Sequence, residues 1–139
     1  MTVASSRPRV AVVVPTYNER ESIVPCLRGL AAALEGVDHE ILVCHDTDED
    51  TTLPAIAEMP DRPASVRLVK NTLGRGALQA IRAGFAAATG DVVVTTMADL
   101  SDPPAFGIGH HCQVQKSQRV AHNPPGRVDV ACMVLQQLW

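Results

Sequence analysis

The stretch Val10–Glu19 reads VAVVVPTYNE and joins an uninterrupted apolar run to a short polar segment. A continuous run of mainly β-branched residues is typical of a strand that is covered on both faces of a sheet. A helix is expected to follow, and Asn18 with Glu21 suits a capping box at its start. Pro25 does not fit that start, so the helix either begins nearer Ile23, with the proline in its first turn, or kinks at the proline.

Strand and helix patterns continue to alternate along the chain. Short apolar runs predict three more strands, at Ile41–Cys44, Val66–Val69 and Val92–Thr95. A short helix is expected to open near Thr52, and a longer one to cover Ala77–Ala88. The order β-α-β-α-β-α-β predicts an α/β fold with a Rossmann-like parallel sheet and helices on both faces. The apolar stripe expected on the longer helix consists of Ala77, Ile81, Phe85 and Ala88.

Composition excludes several classes of protein. Of the 139 residues, 46% are hydrophobic and 19% are charged, which indicates a folded chain of single-domain size. A formal net charge of -3 and an aromatic content of 3% argue against nucleic-acid binding, which uses basic surfaces and stacking platforms. No stretch approaches the ~18 apolar residues of a membrane span, and no signal peptide is evident. The expected location is the cytoplasm, with reduced cysteines.

The character of the chain changes after Pro103-Pro104. Residues 1–104 carry 9 basic and 14 acidic side chains, whereas residues 105–139 carry 3 basic side chains and 1 acidic side chain. This change predicts two parts, a folded unit over 1–104 and an atypical tail over 105–139.

Ligands of a parallel sheet bind at the carboxyl ends of its strands, so the segments after the strands are the candidates for function. After the first strand, Pro15, Tyr17 and Glu19 replace the glycine-rich loops of dinucleotide folds and P-loop proteins. An aromatic ring can flank a base, and a carboxylate can accept hydrogen bonds from a base or a ribose. The alternative is a helix cap with a surface tyrosine.

The other three segments offer carboxylates, glycines and one cation. The acidic segment His45–Asp50 could hold a ribose or a divalent metal, or it could be a solvated loop. Gly74 and Gly76 allow close approach of the backbone, and Arg75 adds a positive charge for an anion, although a plain turn would also use glycines. Asp99 follows the last strand and suits a hard cation that bridges a pyrophosphate, although Asp-Pro turns are also common there.

In their order and spacing these segments resemble the nucleotide-binding half of a family 2 glycosyltransferase, and the polyprenyl (dolichyl) phosphate mannose or glucose synthases in particular. The resemblance covers residues 9–104. It is carried by P-x-Y-N-E at Pro15–Glu19, an Asp-rich turn at Asp46–Thr52, a glycine motif at Asn71–Ala77 and a D-A-D-L-x-D-P-P-like segment at 97–104. Met97 replaces the first acid of the last motif.

The resemblance implies a GT-A fold and inverting transfer of a sugar from a UDP- or GDP-linked donor to an acceptor such as a polyprenyl phosphate or a glycan. It implies a peripheral location at the inner face of the membrane. It does not identify a catalytic residue. Pro15, Tyr17 and Glu19 would hold the nucleoside, Asp46 and the backbone of Cys44 would complete that pocket, and Ala98 and Asp99 would lie at the diphosphate.

By the same resemblance Asp99 would bind Mg²⁺ or Mn²⁺. A thioether is a poor ligand for a hard cation, so Met97 weakens the expectation of metal dependence. The ion would then be held by Asp99, diphosphate oxygens and water, with Asp102 as a further candidate.

The family pattern stops after Pro104, and we interpret the tail as the product of a truncation or a frame shift. Two other functions remain open at this point. A nucleotidyltransferase-like enzyme would need a glycine-rich basic loop directly after the first strand, where Pro15–Glu19 lies instead. A nucleotide-binding α/β domain without transferase activity, such as an acidic-pocket receiver-like module, would need a lysine near the last strand, and the chain has only Lys70 and Lys116.

Overall fold

The computed structural model of the protein describes residues 8–99. The predicted boundary after Pro104, the tail 105–139 and the candidate ligand Asp102 lie outside the described residues. Four strands form one sheet with the spatial order β3-β2-β1-β4, and all three pairings are parallel. The strands are β1 (Val10–Pro15), β2 (His39–His45), β3 (Val66–Lys70) and β4 (Val92–Thr95).

Three helices connect consecutive strands: α1 (Ile23–Ala33), α2 (Thr52–Ala57) and α3 (Ala77–Ala87). Helices α1 and α2 cover one face of the sheet, where Val12 and Val14 of β1 belong to the same buried cluster as Leu27 of α1 and Ile56 of α2. Helix α3 covers the other face, where Ala80 packs with the alternate strand residues. The predicted Rossmann-like sheet with helices on both faces is therefore confirmed.

Strand β1 lies inside the sheet and is hydrogen-bonded to β2 on one side and to β4 on the other. Its residues from Ala11 to Pro15 are buried, including both sets of alternating side chains. This burial on two faces explains why the run is apolar at every position and does not alternate.

Helix α1 begins at Ile23, so the later of the predicted starts is correct and the capping box is wrong. Pro25 occupies the first turn, where a missing backbone N–H costs nothing because the first amides of a helix have no partner within it. Asn18 cannot cap the helix because its backbone is left-handed, with φ of 52°, and its side-chain Oδ1 accepts a hydrogen bond from the backbone N–H of Thr51.

Helix α3 buries a different stripe from the one predicted. Its buried positions are Ala80, Ala83 and Gly84, whereas Ala77 is exposed. The reason is a close approach of α3 to the sheet at Gly84, where an added Cβ would lie 2.9 Å from Cys44 Sγ and closer still to Val13. The smallest residues of the helix therefore face the strands, and the larger Phe85 packs at the edge of the cluster.

Candidate active site

A cleft of about 660 Å³ opens at the carboxyl ends of the strands. Each of the four segments that follow a strand contributes to its wall. The segment after β1 contributes residues 15–19, the segment after β2 contributes Asp46, Thr47 and Glu49, the loop before α3 contributes Arg75 and Gly76, and the segment after β4 contributes Met97. The fold thus brings together segments that lie up to 82 residues apart in the sequence.

Tyr17 forms an exposed side of the cleft, with 72% of its surface accessible. Pro15 ends β1 beneath it and is buried, and Glu19 is half-buried. A flat ring that is this exposed at the mouth of a cleft has a free face for a planar ligand. These three predicted residues lie together.

Hydrogen bonds to the start of α2 hold the loop that carries Tyr17. Asp50 is buried, and its Oδ1 accepts from the backbone N–H groups of Asn18 and Thr52, at 3.0 and 2.9 Å. The hydroxyl of Thr52 accepts from the backbone N–H of Glu19 at 2.9 Å. These three hydrogen bonds fix the backbone of the loop between β1 and α1 against the start of α2.

Cys44 does not line the cleft. Its carbonyl oxygen accepts hydrogen bonds from the backbone N–H and the hydroxyl of Thr16, at 2.8 and 3.1 Å. Its side chain is buried beneath α3, and this burial raises the pKa of the thiol to about 12. Cys44 therefore contributes to the cleft by anchoring Thr16, which is a lining residue.

Asp46 lies at the end of β2 and is bonded to the glycine-rich loop. Its Oδ2 accepts from the backbone N–H of Gly76 at 2.9 Å, and its Oδ1 accepts from Asn71 Nδ2 at 2.7 Å. These two hydrogen bonds lower the pKa of Asp46, and the positive charge of Arg75 lowers it further. The carboxylate is therefore ionised at neutral pH, and each oxygen retains a lone pair for a ligand.

The glycine-rich loop uses both of its glycines for backbone conformation. Gly74 has φ of 129° and Gly76 has φ of 110°, values that other residues rarely adopt. Arg75 lies between them, exposed and on the wall of the cleft. The N–H of Gly76 is already bonded to Asp46, so an anion at this loop would meet Arg75 and the N–H groups of the first turn of α3.

Three residues of the segment after β4, at positions 97–99, differ in where their side chains lie. Met97 lines the cleft and is 41% exposed, whereas the side chain of Ala98 is buried in the cluster beneath α1 and α2. Asp99 is exposed. Burial raises the pKa of Cys26 to about 11, and the negative charges of Asp99 and Glu19 contribute to that increase. Both carboxylates therefore lie near the same thiol of α1.

The described part of the cleft wall is acidic. It holds the carboxylates of Glu19, Asp46 and Glu49 and one cationic side chain, Arg75. An anionic ligand would be repelled by this balance of charge unless a cation accompanied it.

A family model described as glycosyl transferase family 2 matches residues 11–107. This range includes the four strands, apart from Val10 at the start of β1, and every residue on the cleft wall. The chain belongs to glycosyltransferase family 2.

Relatives of this family 2 chain include an undecaprenyl-phosphate 4-deoxy-4-formamido-L-arabinose transferase from Enterobacter, which is 40% identical over 108 residues. They also include a dolichol-phosphate mannosyltransferase from Pyrococcus furiosus, which is 36% identical over 96 residues. The matches cover 75% and 69% of the chain but only 33% and 27% of these relatives. The chain thus spans about a third or less of the length of the curated relatives it matches.

Among solved structures, this family 2 chain is similar to a mannosyltransferase from Pyrobaculum calidifontis in complex with GDP-Man and Mn²⁺. The TM-score is 0.49 and the sequence identity is 30%. The match covers 71% of this chain and 34% of the mannosyltransferase.

The side chains available as metal ligands determine how this family 2 chain could hold a metal ion. Among residues 8–99, no three His, Cys, Asp or Glu side chains are grouped so as to hold a metal ion by themselves. Asp99 offers one carboxylate, and the side chain of Met97 offers no oxygen where the family motif has its first acid. The residues fit a divalent cation only where a ligand such as a diphosphate supplies further oxygens. Within the same range no helix is long and apolar enough to cross a membrane.

Sequence reasoning missed the residues that hold the site in shape. The resemblance includes Asp50 and Thr52 in its Asp-rich turn and gives them no role in the pocket, whereas the structure shows that they fix the loop that carries Tyr17. The resemblance likewise includes Asn71 in the glycine motif without giving it a role. The signal was present for Asn71, because it follows β3 directly while Asp46 follows the adjacent β2, and the ends of neighbouring parallel strands lie side by side.

Proposed function

We propose that this chain is the donor-binding part of a glycosyltransferase that moves a sugar, with inversion, from a nucleotide-diphosphate sugar to a polyprenyl phosphate. The observation that carries the proposal is the cleft at the carboxyl edge of the sheet. Tyr17, Asp46 and Arg75 all line this cleft. Membership of glycosyltransferase family 2 supports the reaction class. The names of the two relatives, which specify undecaprenyl phosphate and dolichol phosphate, support the class of acceptor.

The nucleoside would bind between Tyr17 and the end of β2. The exposed ring of Tyr17 would flank the base, and Pro15 would support it from below. The ionised carboxylate of Asp46 and the carboxylate of Glu19 are acceptors only, so they would select N–H and O–H groups of the base or the ribose. Thr16 would keep this pocket attached to β2 through the carbonyl of Cys44.

The diphosphate would bind between the glycine-rich loop and the end of β4. Arg75 and the first turn of α3 would supply positive charge. The backbone at Ala98 would lie beside the diphosphate, and Asp99 would hold Mg²⁺ or Mn²⁺ together with diphosphate oxygens. When bound, such an ion neutralises the charge that develops on the leaving diphosphate. The acidic wall supports this arrangement because it accepts a diphosphate more readily with a cation present.

The acceptor determines where the reaction would occur. A polyprenyl phosphate keeps its hydrocarbon chain in the bilayer, so the enzyme would meet it at the inner face of the membrane. A nucleotidyltransferase-like function is disfavoured because the loop after β1 is the proline- and tyrosine-containing segment Pro15–Glu19, which provides no glycine-rich cradle for a triphosphate.

Isothermal titration of the chain with UDP and with GDP, each with and without Mn²⁺, tests the proposal. We expect binding of at least one nucleotide, stronger with the cation, and a Tyr17→Ala variant weakened by about 10-fold, as expected for the loss of base stacking of roughly 1–3 kcal/mol. Arg82→Ala, a change of an exposed residue on α3 outside the cleft wall, is the matched control. The absence of heat with both nucleotides under both conditions would contradict the proposal.

A further inference from the structure

Asn71 is a buried polar residue that makes hydrogen bonds with both ends of its amide. It is 6% exposed, and its backbone N–H donates to the carbonyl of His45 at 2.8 Å. Its Oδ1 accepts from the backbone N–H of Leu73 at 2.9 Å. Since a backbone N–H can only donate, this bond fixes which end of the amide is oxygen. The other end of the amide is therefore the Nδ2 group, which can donate two hydrogen bonds.

Those two hydrogens hold the glycine-rich loop to the end of β2. Asn71 Nδ2 donates to Asp46 Oδ1 and to the carbonyl oxygen of Gly74. The other oxygen of Asp46 accepts from the N–H of Gly76. The residues immediately before and after Arg75 are therefore both tethered, one to Asn71 and one to Asp46.

We propose that Asn71 is a positioning residue that holds Arg75 at the cleft and thereby sets the affinity for the diphosphate end of the donor. The inference rests on the proposed function and adds to it a residue that does not itself line the cleft. Arg75 is exposed and lies between Gly74 and Gly76, so without the tethers its backbone would sample many conformations. The tethers remove that freedom before the ligand binds. Because the loop then loses less conformational entropy on binding, the affinity for the ligand is higher.

Only an amide satisfies all of these contacts. Aspartate at position 71 would lose both donors and place a second carboxylate 2.7 Å from that of Asp46. Alanine would release the loop without adding charge. Asn71→Ala is therefore the variant that tests loss of the tether without introduced repulsion.

A double-mutant cycle tests the proposal, with binding of GDP or UDP measured in the presence of Mn²⁺ for wild type, Asn71→Ala, Arg75→Gln and the double variant. We expect each single change to weaken binding by about 10-fold, which is typical for loss of a charge-assisted contact. The double variant should be no more than about 3-fold weaker than either single one, because Asn71 acts through Arg75. Binding of the nucleoside monophosphate should change less than binding of the diphosphate.

Several results would overturn the proposal. One is a double variant whose loss of affinity equals the product of the two single losses. The others are unchanged affinity of a folded Asn71→Ala protein and unchanged affinity of Arg75→Gln. If wild type binds no nucleotide, the proposed function itself fails, which is a distinguishable result. If Asn71→Ala does not fold, hydrogen exchange in wild type decides: the Gly76 amide should exchange slowly although the residue is exposed, and fast exchange would refute the tether.

Discussion

Asn18 has a left-handed backbone, with φ of 52°, directly beside the exposed ring of Tyr17. This conformation turns the chain so that its N–H meets Asp50 and its side chain meets the backbone of Thr51. Asparagine is one of the few residues other than glycine that adopts this conformation readily. The residue therefore sets the shape of the loop that follows β1.

We expect Asn18→Ala to lower the free energy of unfolding by about 1–2 kcal/mol, because alanine is strained in this conformation and cannot accept from Thr51. Asn18→Gly is the matched control, since it loses the same side-chain bond but tolerates the backbone. Urea unfolding measures both variants. Equal losses for alanine and glycine would show that the backbone conformation contributes nothing.

Asp46 makes the stability of the fold depend on pH. Its hydrogen bonds from Gly76 and Asn71, and the nearby charge of Arg75, lower its pKa in the folded state. A lowered folded pKa stabilises the protein above the unfolded pKa of about 3.9, and this contribution is lost as the pH falls through the folded value.

The difference in unfolding free energy between wild type and Asp46→Asn should therefore be largest at neutral pH and shrink below about pH 4. Urea titrations at a series of pH values measure it. Asp48→Asn serves for comparison, because the pKa of Asp48 is lowered by Lys70 in an exposed surface pair that should contribute little. A difference for Asp46→Asn that is constant with pH would contradict the assignment.

At the scale of elements, the sequence predicted every strand and helix of residues 8–99, with bounds mostly within two residues. The sequence does not decide the start of α1, because Asn18 and Glu21 form a good local capping pattern while Pro25 favours a later start. Hydrogen bonds of Asn18 with residues 50 and 51 hold it outside the helix, so α1 starts later. Contacts between residues so far apart in the sequence cannot be predicted from local periodicity. The predicted buried stripe of α3 is wrong. Helix α3 packs so close to the sheet at Gly84 that the small residues face the strands and the larger Ile81 does not.

Gly84→Ala should destabilise the fold by about 1–3 kcal/mol, because the new Cβ overlaps Val13 and lies 2.9 Å from Cys44 Sγ. In an exposed part of a helix the same substitution would be favourable, since alanine is the better helix former. Thermal unfolding measures the effect, with Arg82→Ala on the exposed side of α3 as control. An increase in the melting temperature of Gly84→Ala would contradict the close packing of α3 on the sheet.

At the scale of the whole molecule, the parallel sheet brings four loop segments to one edge and gives that edge its charge. Glu19, Asp46 and Glu49 face a space with Arg75 as the cationic side chain of the described wall. This balance makes a diphosphate a poor ligand alone and a better one with a divalent cation. The metal dependence that we propose would therefore arise from the charge of the assembled cleft together with Asp99.

Asp99→Asn should remove the increase in GDP or UDP affinity that Mn²⁺ produces and leave metal-free binding nearly unchanged. The amide keeps the size of the side chain but is a much weaker ligand for a hard cation. Asp61→Asn is the control, because Asp61 pairs with Arg28 away from the cleft wall. Calorimetric titration measures all three proteins. A metal-dependent increase that persists in Asp99→Asn would refute this role.

The sequence by itself determined the α/β class, the order of the elements and the segments that carry the site, because hydrophobic periodicity and turn residues are local signals that survive without tertiary contacts. It also placed Tyr17, Glu19, Asp46 and Arg75 in candidate positions. The tertiary structure alone decided that Cys44 and Ala98 turn their side chains into the core, and that Asn71 tethers the loop around Arg75. Those outcomes depend on which residues of adjacent strands lie side by side and on which face of the sheet each side chain lies. Both are set by contacts between distant parts of the chain, which local sequence patterns do not record.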